Sequence, residues 1–297
     1  MPRISILIPL YRSSRFQDVI AENIRALSDP DVEVILSDRN GDDSIAKALR
    51  ADGLLSDRVK FNLSSDNRDW VDNINALIES ASGDYFRILP HDDSTDLAAT
   101  MALVECLETQ PEAVLAYGRV AGLDEQGNPM PERDHGAPLN RPMESWTIDH
   151  WLDMFWTGSF GGAFKGVVRT SSVRAAGLSI RKTRRVLHSE RVWLFGLCAM
   201  GKFAFVDQQT LRKRFYRGST SQSWQTQPAD QLDTMEVMVS YCEDLVPDTA
   251  LRAYCRRDLQ MNAFLRYQAL VDGTQRPVYR PYPEDEHLRN RSNSQRV

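Results

Sequence analysis

Through about the first 120 residues, runs of β-branched and aliphatic residues of strand length alternate with segments whose apolar residues recur at helical spacing. No other feature constrains the fold as much, because strand–helix–strand order builds a mostly parallel sheet with crossover helices. Ile4 to Leu10 reads as the first strand, and Phe16, Ile20, Ile24 and Leu27 then share one face of a helix ending near Asp29-Pro30. A strand at Val32 to Leu36, a short helix at Ser44 to Ala51 and a strand at Val59 to Leu63 follow. A helix carrying Val71, Ile74, Ile78 and Ala81 comes next, and Ser82-Gly83-Asp84 supplies the turn into a strand at Tyr85 to Leu89. Thr95 to Glu108 is predicted helical with Leu97, Met101 and Val104 inward, and a strand at Val114 to Val120 is closed by a turn at Asp124 to Asn128. The expected class is α/β.

Beyond that point the pattern loosens. Met130 to Pro142, rich in Pro, Gly and charge, reads as a mobile connection. Mixed patterns fill residues 146–224, with Trp146, Trp151, Trp156 and Trp224 among them, and residues 229–272 read as two amphipathic helices broken near Pro247. A polar tail starts at Gln275. The expected organisation is one domain over residues 1–220, split into halves at 1–123 and 124–220, with a C-terminal helical extension and tail at 221–297.

The 297 residues, 42% hydrophobic and 26% charged, suit a globular enzyme, and a net charge of -5 offers no long-range attraction to nucleic acid or anionic membrane. No basic face interleaved with aromatics is visible, so nucleic acid is not an expected partner. Cys106, Cys198, Cys242 and Cys255 form no CxxC pair and no zinc-like spacing with the five histidines, which suits reduced thiols. The apolar start is too short for a signal peptide and no apolar run approaches a membrane span, so the expected location is cytoplasmic. The helices between Gln231 and Val271 leave core packing, a dimer interface and peripheral membrane association open, and the oligomeric state is not legible.

The chemistry starts from an absence. The first strand runs into Pro9-Leu10-Tyr11-Arg12-Ser13-Ser14, with neither GxGxxG nor a Walker loop to cradle phosphates. In an open α/β sheet ligands bind beyond the carboxyl ends of the strands, and Tyr11, Asp38 and Asp92-Asp93 all follow strand ends. The adjacent carboxylates of His91-Asp92-Asp93 suit Mg²⁺ or Mn²⁺, which can hold a diphosphate; equally, Asp92 and Asp93 suit a helix cap before Thr95, and Asp38 suits a turn.

Taken in order, these residues resemble glycosyltransferase family 2, over roughly residues 3–220. The matching features are the apolar strand ending in Pro9-Leu10-Tyr11, the acidic strand end Ser37-Asp38-Arg39-Asn40, Asn75, Gly83-Asp84-Tyr85 and His91-Asp92-Asp93. The resemblance implies a GT-A fold and a nucleotide-sugar donor, UDP-linked by first choice, with Pro9, Tyr11, Asp38, Asp92, Asp93, Arg214 and Arg217 on the donor side. By that similarity Tyr11 and Asp38 flank the nucleobase, Asp92 lies near the ribose or sugar, and Asp93 ligates Mn²⁺ or Mg²⁺. Residues 1–123 become the nucleotide-sugar half and 124–220 the acceptor half, for a carbohydrate or glycoconjugate acceptor.

The family's catalytic base is an Asp at a helix start ahead of a Gly-Lys-Phe-like strand. Glu190 stands there, before Val192 to Met200 and Gly201-Lys202-Phe203, and is one methylene longer. The implied reaction is a single displacement with inversion, in which Glu190 accepts the acceptor's proton. Arg212, Arg214, Tyr216 and Arg217 fall where the family places a flexible phosphate-covering segment; the His that many relatives carry there is missing, with Tyr216 or Arg217 at about its place. Without the resemblance, Glu190 reads as a helix-start acid and the Arg/Lys run as a solvated strand edge. Ser37 stands in place of a second acidic residue, a further departure, and keeps a non-catalytic nucleotide-sugar-binding protein as an alternative. A nucleotidyltransferase is another, though its glycine-rich basic loop is missing.

Overall fold

A computed structural model describes residues 2–66, 69–135, 161–219 and 225–274. The described residues form two compact units, one built from residues 2–66, 69–135, 161–177 and 203–219, the other from 178–202 and 225–274. Residues 178–202 fall in the second unit.

The first unit carries a seven-stranded sheet in the order β3-β2-β1-β4-β6-β5-β7. Its strands are β1 (Ile4–Leu10), β2 (Val32–Asp38), β3 (Val59–Leu63), β4 (Tyr85–Ile88), β5 (Ala113–Leu123), β6 (Val167–Arg169) and β7 (Lys202–Arg214). β3, β2, β1 and β4 pair in parallel, and β6 runs antiparallel to both β4 and β5. β5 therefore points the same way as the first four, which makes the sheet mostly parallel. β1 and β2 read as near-continuous apolar runs because both faces are covered; Ile4, Ile6, Leu7 and Leu36 are wholly buried.

Helices α1 (Gln17–Ala26), α2 (Ser44–Ala51), α3 (Trp70–Ser80) and α4 (Leu97–Thr109) are the crossovers, and α3 packs on β1 and β2 while α4 packs on β5 and β6. The predicted faces of α1 and α3 are the buried ones. In α4 the phase differs: Thr100, Leu103, Val104 and Leu107 are buried, whereas Leu97 and Met101 are only half-buried. Thr100 turns inward to accept a hydrogen bond from a buried arginine, Arg87, a partner that apolar periodicity alone does not show. The turn before β4 needs Gly83, because a Cβ there would lie 2.8 Å from the backbone nitrogen of Ser5. Two short helices, α5 (Gly161–Phe164) and α6 (Thr170–Ala175), flank β6.

The second unit is helical among its described residues, with α7 (Ser189–Met200), α8 (Pro228–Leu245) and α9 (Thr249–Asp272). The break near Pro247 lies where the sequence puts it, and Asp248 caps α9 through the backbone N–H of Leu251. Gly196 lets the Tyr241 ring approach α7, where a Cβ would be only 3.1 Å from it. Among the described residues no helix is long and apolar enough to cross a membrane.

Candidate active site

Register fixes the site before any side chain is considered. Leu10 pairs with Asp38 and Leu7 with Ile88, so the chain exits after β1, β2 and β4 leave one edge of three adjacent parallel strands. Tyr11 is exposed there with the Arg12 guanidinium 5.1 Å from its ring centroid, and Arg12 holds a left-handed φ of 51°. Pro9, one residue before the end of β1, is half-buried, its carbonyl 3.3 Å from Nδ1 of His91. Asp38 is buried, and its Oδ1 accepts the N–H groups of Asn40 (2.8 Å) and Asp42 (3.3 Å). That carboxylate oxygen shapes the turn after β2, as its residue type alone suggests.

The helix-cap reading of Asp92 and Asp93 fails, because Asp96 caps α4 by accepting the N–H of Ala99 at 2.9 Å. Asp93 is instead buried at 1% exposure among nitrogen donors. Its Oδ2 takes the Lys165 ammonium, its Oδ1 accepts the backbone N–H of Arg214 at 3.1 Å, and its carbonyl accepts Asn23 Nδ2 at 2.8 Å. Burial pushes the Asp93 carboxyl up, and Lys165 pulls it down. Asp92 is half-buried and accepts the Tyr216 hydroxyl, whose pKa burial and Asp92 push up to about 12. Arg15 lies over the Tyr216 ring at 4.2 Å, and Phe16 is 5.0 Å from Tyr216 and 5.2 Å from His91, centroid to centroid. Tyr216 thus orients Asp92 from the place of the family's His, while Arg217 is exposed.

Arg214 behaves differently from a simple phosphate clamp. Its Nη1 donates to the carbonyls of Asp124 (3.4 Å) and Glu125 (2.8 Å), so its guanidinium holds the turn closing β5. Contact with Asp93 comes from its backbone N–H.

A divalent cation on Asp93 would need an oxygen facing open space or other anionic ligands. Both Asp93 oxygens face protein donors, one of them a full positive charge, and among the described residues no three His, Cys, Asp or Glu side chains gather as ligands. The residues as arranged do not fit the metal that the family resemblance implies.

Behind Asp93 lies Arg87, a residue of β4 that is completely buried. Its guanidinium donates to the carbonyl of Lys165 (2.9 Å), the hydroxyls of Thr95 and Thr100 (2.9 Å each) and the carbonyl of Thr210 (2.8 Å). Burial lowers its pKa to about 10, against the pull of Asp93 and Asp96, so it stays cationic at neutral pH. One side chain therefore spaces the Lys165 segment, the start of α4 and β7 around Asp93.

Glu190 belongs to the second unit, in the first turn of α7. Its Oε2 is shielded from solvent without a hydrogen-bond partner, and burial pushes its pKa up against its own backbone N–H and Arg191. The turn before it is strained: Val186 and His188 hold φ of 52° and 62°. Thr183 fixes that turn through the Leu187 carbonyl and the Ser189 hydroxyl. Backbone strain beside an unsatisfied carboxylate is a common signature of a functional position.

The sequence reading missed Lys165, Lys213, Arg15 and Arg87. Lys165 had a signal in Gly161-Gly162-Ala163-Phe164-Lys165-Gly166, since a Cβ on Gly166 would lie 2.4 Å from the Ala116 carbonyl and only glycine lets the chain pass. Arg87 had none beyond a charge inside an apolar strand. The four tryptophans at 146, 151, 156 and 224, most of the 130–142 connection and the tail from Gln275 lie outside the described residues.

Comparison with known proteins bears on the family and the fold. The family model for Glycosyl transferase family 2 matches residues 5–173, more than half of the chain. An uncharacterized protein y4gI of Sinorhizobium fredii is 30% identical over 118 residues, spanning 39% of this chain and 13% of that protein. A GalNAc(5)-diNAcBac-PP-undecaprenol beta-1,3-glucosyltransferase of Campylobacter jejuni is 26% identical over 172 residues, spanning 56% of this chain and 52% of that one. The chain thus spans about half or less of these relatives. Among solved structures, S. aureus TarS 1-349 in complex with UDP-GlcNAc superposes with a TM-score of 0.68 at 12% identity, over 100% of this chain and 82% of TarS. The UDP complex of the same protein gives 0.62 at 11% identity, over 91% and 73%. At that identity the likeness is one of fold, and the fold is the GT-A arrangement.

Proposed function

The chain belongs to glycosyl transferase family 2, and from that premise we propose that it is an inverting glycosyltransferase. Its donor is a nucleoside-diphosphate sugar, a UDP-sugar by first choice, and its acceptor a carbohydrate or glycoconjugate. The observation that carries the reading is the exit of Tyr11, Asp38 and Asp92-Asp93 from one edge of three adjacent parallel strands. The UDP-GlcNAc and UDP bound by TarS support the choice of base, and the undecaprenol-linked glycan in the Campylobacter relative's name makes lipid-linked sugars the first acceptors to screen.

In this reading Tyr11 and Asp38 take the nucleobase and Asp92, oriented by Tyr216, takes the ribose or sugar. Arg217 is an exposed cation available to the phosphates, and Arg214 acts through its backbone N–H on Asp93. The acceptor oxygen bonds to the anomeric carbon as the bond from that carbon to the β-phosphate oxygen breaks. The electron pair leaves with the nucleoside diphosphate, and the acceptor's proton passes to Glu190. A shielded carboxylate lacking a partner on Oε2 and with a raised pKa is suited to that role.

Thermal unfolding with UDP, GDP, CDP, TDP and ADP, each with Mn²⁺ and with EDTA, tests the donor site. At a ligand concentration about 100 times Kd, binding to the folded state adds about 2.7 kcal/mol. One nucleotide should stabilise the protein, and its sugar conjugates should then be turned over. Stabilisation by none of the five would overturn the reading; binding without hydrolysis or transfer would leave only the non-catalytic alternative.

A further inference from the structure

Two lysine ammoniums lie near the carboxylates of Asp92 and Asp93. Lys165, its side chain only 11% exposed, already neutralises Asp93. Lys213, the residue before Arg214 on β7, is half-buried, with Nζ 5.0 Å from the Phe215 ring centroid. It is repelled by Lys165 and attracted by Asp93 and Asp92, which places all four charges in one neighbourhood; His135 faces the same two lysines and Asp93. The two ammoniums repel one another, and a dianionic group entering beside them relieves that repulsion. The lysines are also held in advance. Arg87 takes the carbonyls of Lys165 and Thr210, and the close passage at Gly166 fixes the chain beside Lys165.

Resting on the donor reading, we propose that Lys165 and Lys213 together supply the positive charge that binds the donor's diphosphate and stabilises it as it departs, in place of a divalent metal. The two ammoniums face the phosphate oxygens, and Asp93 holds Lys165 in position instead of ligating a metal. A divalent cation brought to Asp93 would have to displace Lys165 from its Oδ2.

The test is calorimetric binding of UDP and UMP to the full chain, in EDTA and in Mn²⁺, with GDP, CDP, TDP and ADP used to choose the base. The expected result is that the preferred diphosphate binds in EDTA within about threefold of its affinity in Mn²⁺. Lys213→Met should weaken the diphosphate by about tenfold or more while weakening the monophosphate much less. A merely structural role would weaken both alike, and that outcome overturns the proposal. Lys165→Met strands Asp93, so Lys165→Met with Asp93→Asn is the companion variant, with the same expected discrimination against the diphosphate. Binding that requires Mn²⁺ and vanishes in EDTA overturns the proposal and leaves the donor reading standing. Failure of every nucleotide in both conditions overturns the two together.

Discussion

Arg87→Met asks whether a single buried arginine organises the site. The substitution keeps most of the side chain's length and removes four hydrogen bonds to Lys165, Thr95, Thr100 and Thr210. Hydrogen bonds from a charged donor contribute about 1.5–3 kcal/mol each when their acceptors have no alternative. The alternatives matter here. The Thr210 carbonyl keeps the Thr95 hydroxyl at 2.9 Å, and the hydroxyls of Thr95 and Thr100 lie 3.4 Å apart and can turn toward each other. The Lys165 carbonyl loses the only one of these four bonds that nothing nearby replaces, and relief from burying a guanidinium offsets part of the loss. The net expectation is a destabilisation of about 1–3 kcal/mol, or a fall in Tm of roughly 2–12 °C. Urea unfolding followed by circular dichroism measures it. Arg119→Met is the control, since the Arg119 pair with Asp207 is exposed and its loss should leave the midpoint unchanged. Nucleotide affinity should fall in Arg87→Met under native conditions, because the Lys165 and Thr210 segments lose their spacer. An Arg87→Met midpoint indistinguishable from wild type would refute the argument.

Two further substitutions separate function from stability. Glu190→Gln should cut turnover by roughly 10²- to 10⁴-fold. Because burial raises the Glu190 pKa, the folded protein binds more protons than the unfolded chain between the two values, so wild-type stability falls as pH rises through that window. Glu190→Gln removes that slope and should be the more stable protein at neutral pH; identical pH slopes in urea unfolding would count against it. Glu33 is the opposite case. Burial acts to raise its pKa, but hydrogen bonds from Ser5 (2.5 Å), Ser82 (2.6 and 2.8 Å) and Lys60 (3.1 Å) prevail and lower it. Its contribution is present above the unfolded pKa and lost as pH falls through the folded one. Glu33→Gln should cost about 1–3 kcal/mol at neutral pH and flatten the acid limb of the stability profile; an unchanged limb would refute this.

The strands from Ile4 to Leu123 and the helices between them were legible because burial on a parallel sheet imposes local patterns that one stretch of sequence carries by itself. The turn at Ser82-Gly83-Asp84 and the break at Pro247 were legible for the same reason, since backbone geometry restricts which residues fit. Tyr11, Asp38, Asp92 and Asp93 could be proposed together because strand ends in such a sheet share an edge. Their partners could not. Asp93 meets Lys165 across 72 positions of sequence and Arg214 across 121, and no periodicity links residues so far apart.

The sequence by itself thus determined the α/β class, the order of elements and the sheet edge that Tyr11, Asp38, Asp92 and Asp93 share, because these follow from local burial and turn geometry. Only the tertiary structure decided what each charge does. Arg87 and Arg119 are the same residue type on strands of one sheet, yet one is buried with four acceptors and the other sits in solvent. Asp93 could have been a cap or a metal ligand by its sequence, and the packing that carried Lys165 to it gave it an ion-pair partner that no local pattern shows. A charge takes its energy from its surroundings, and those surroundings are assembled from segments brought together only by the fold.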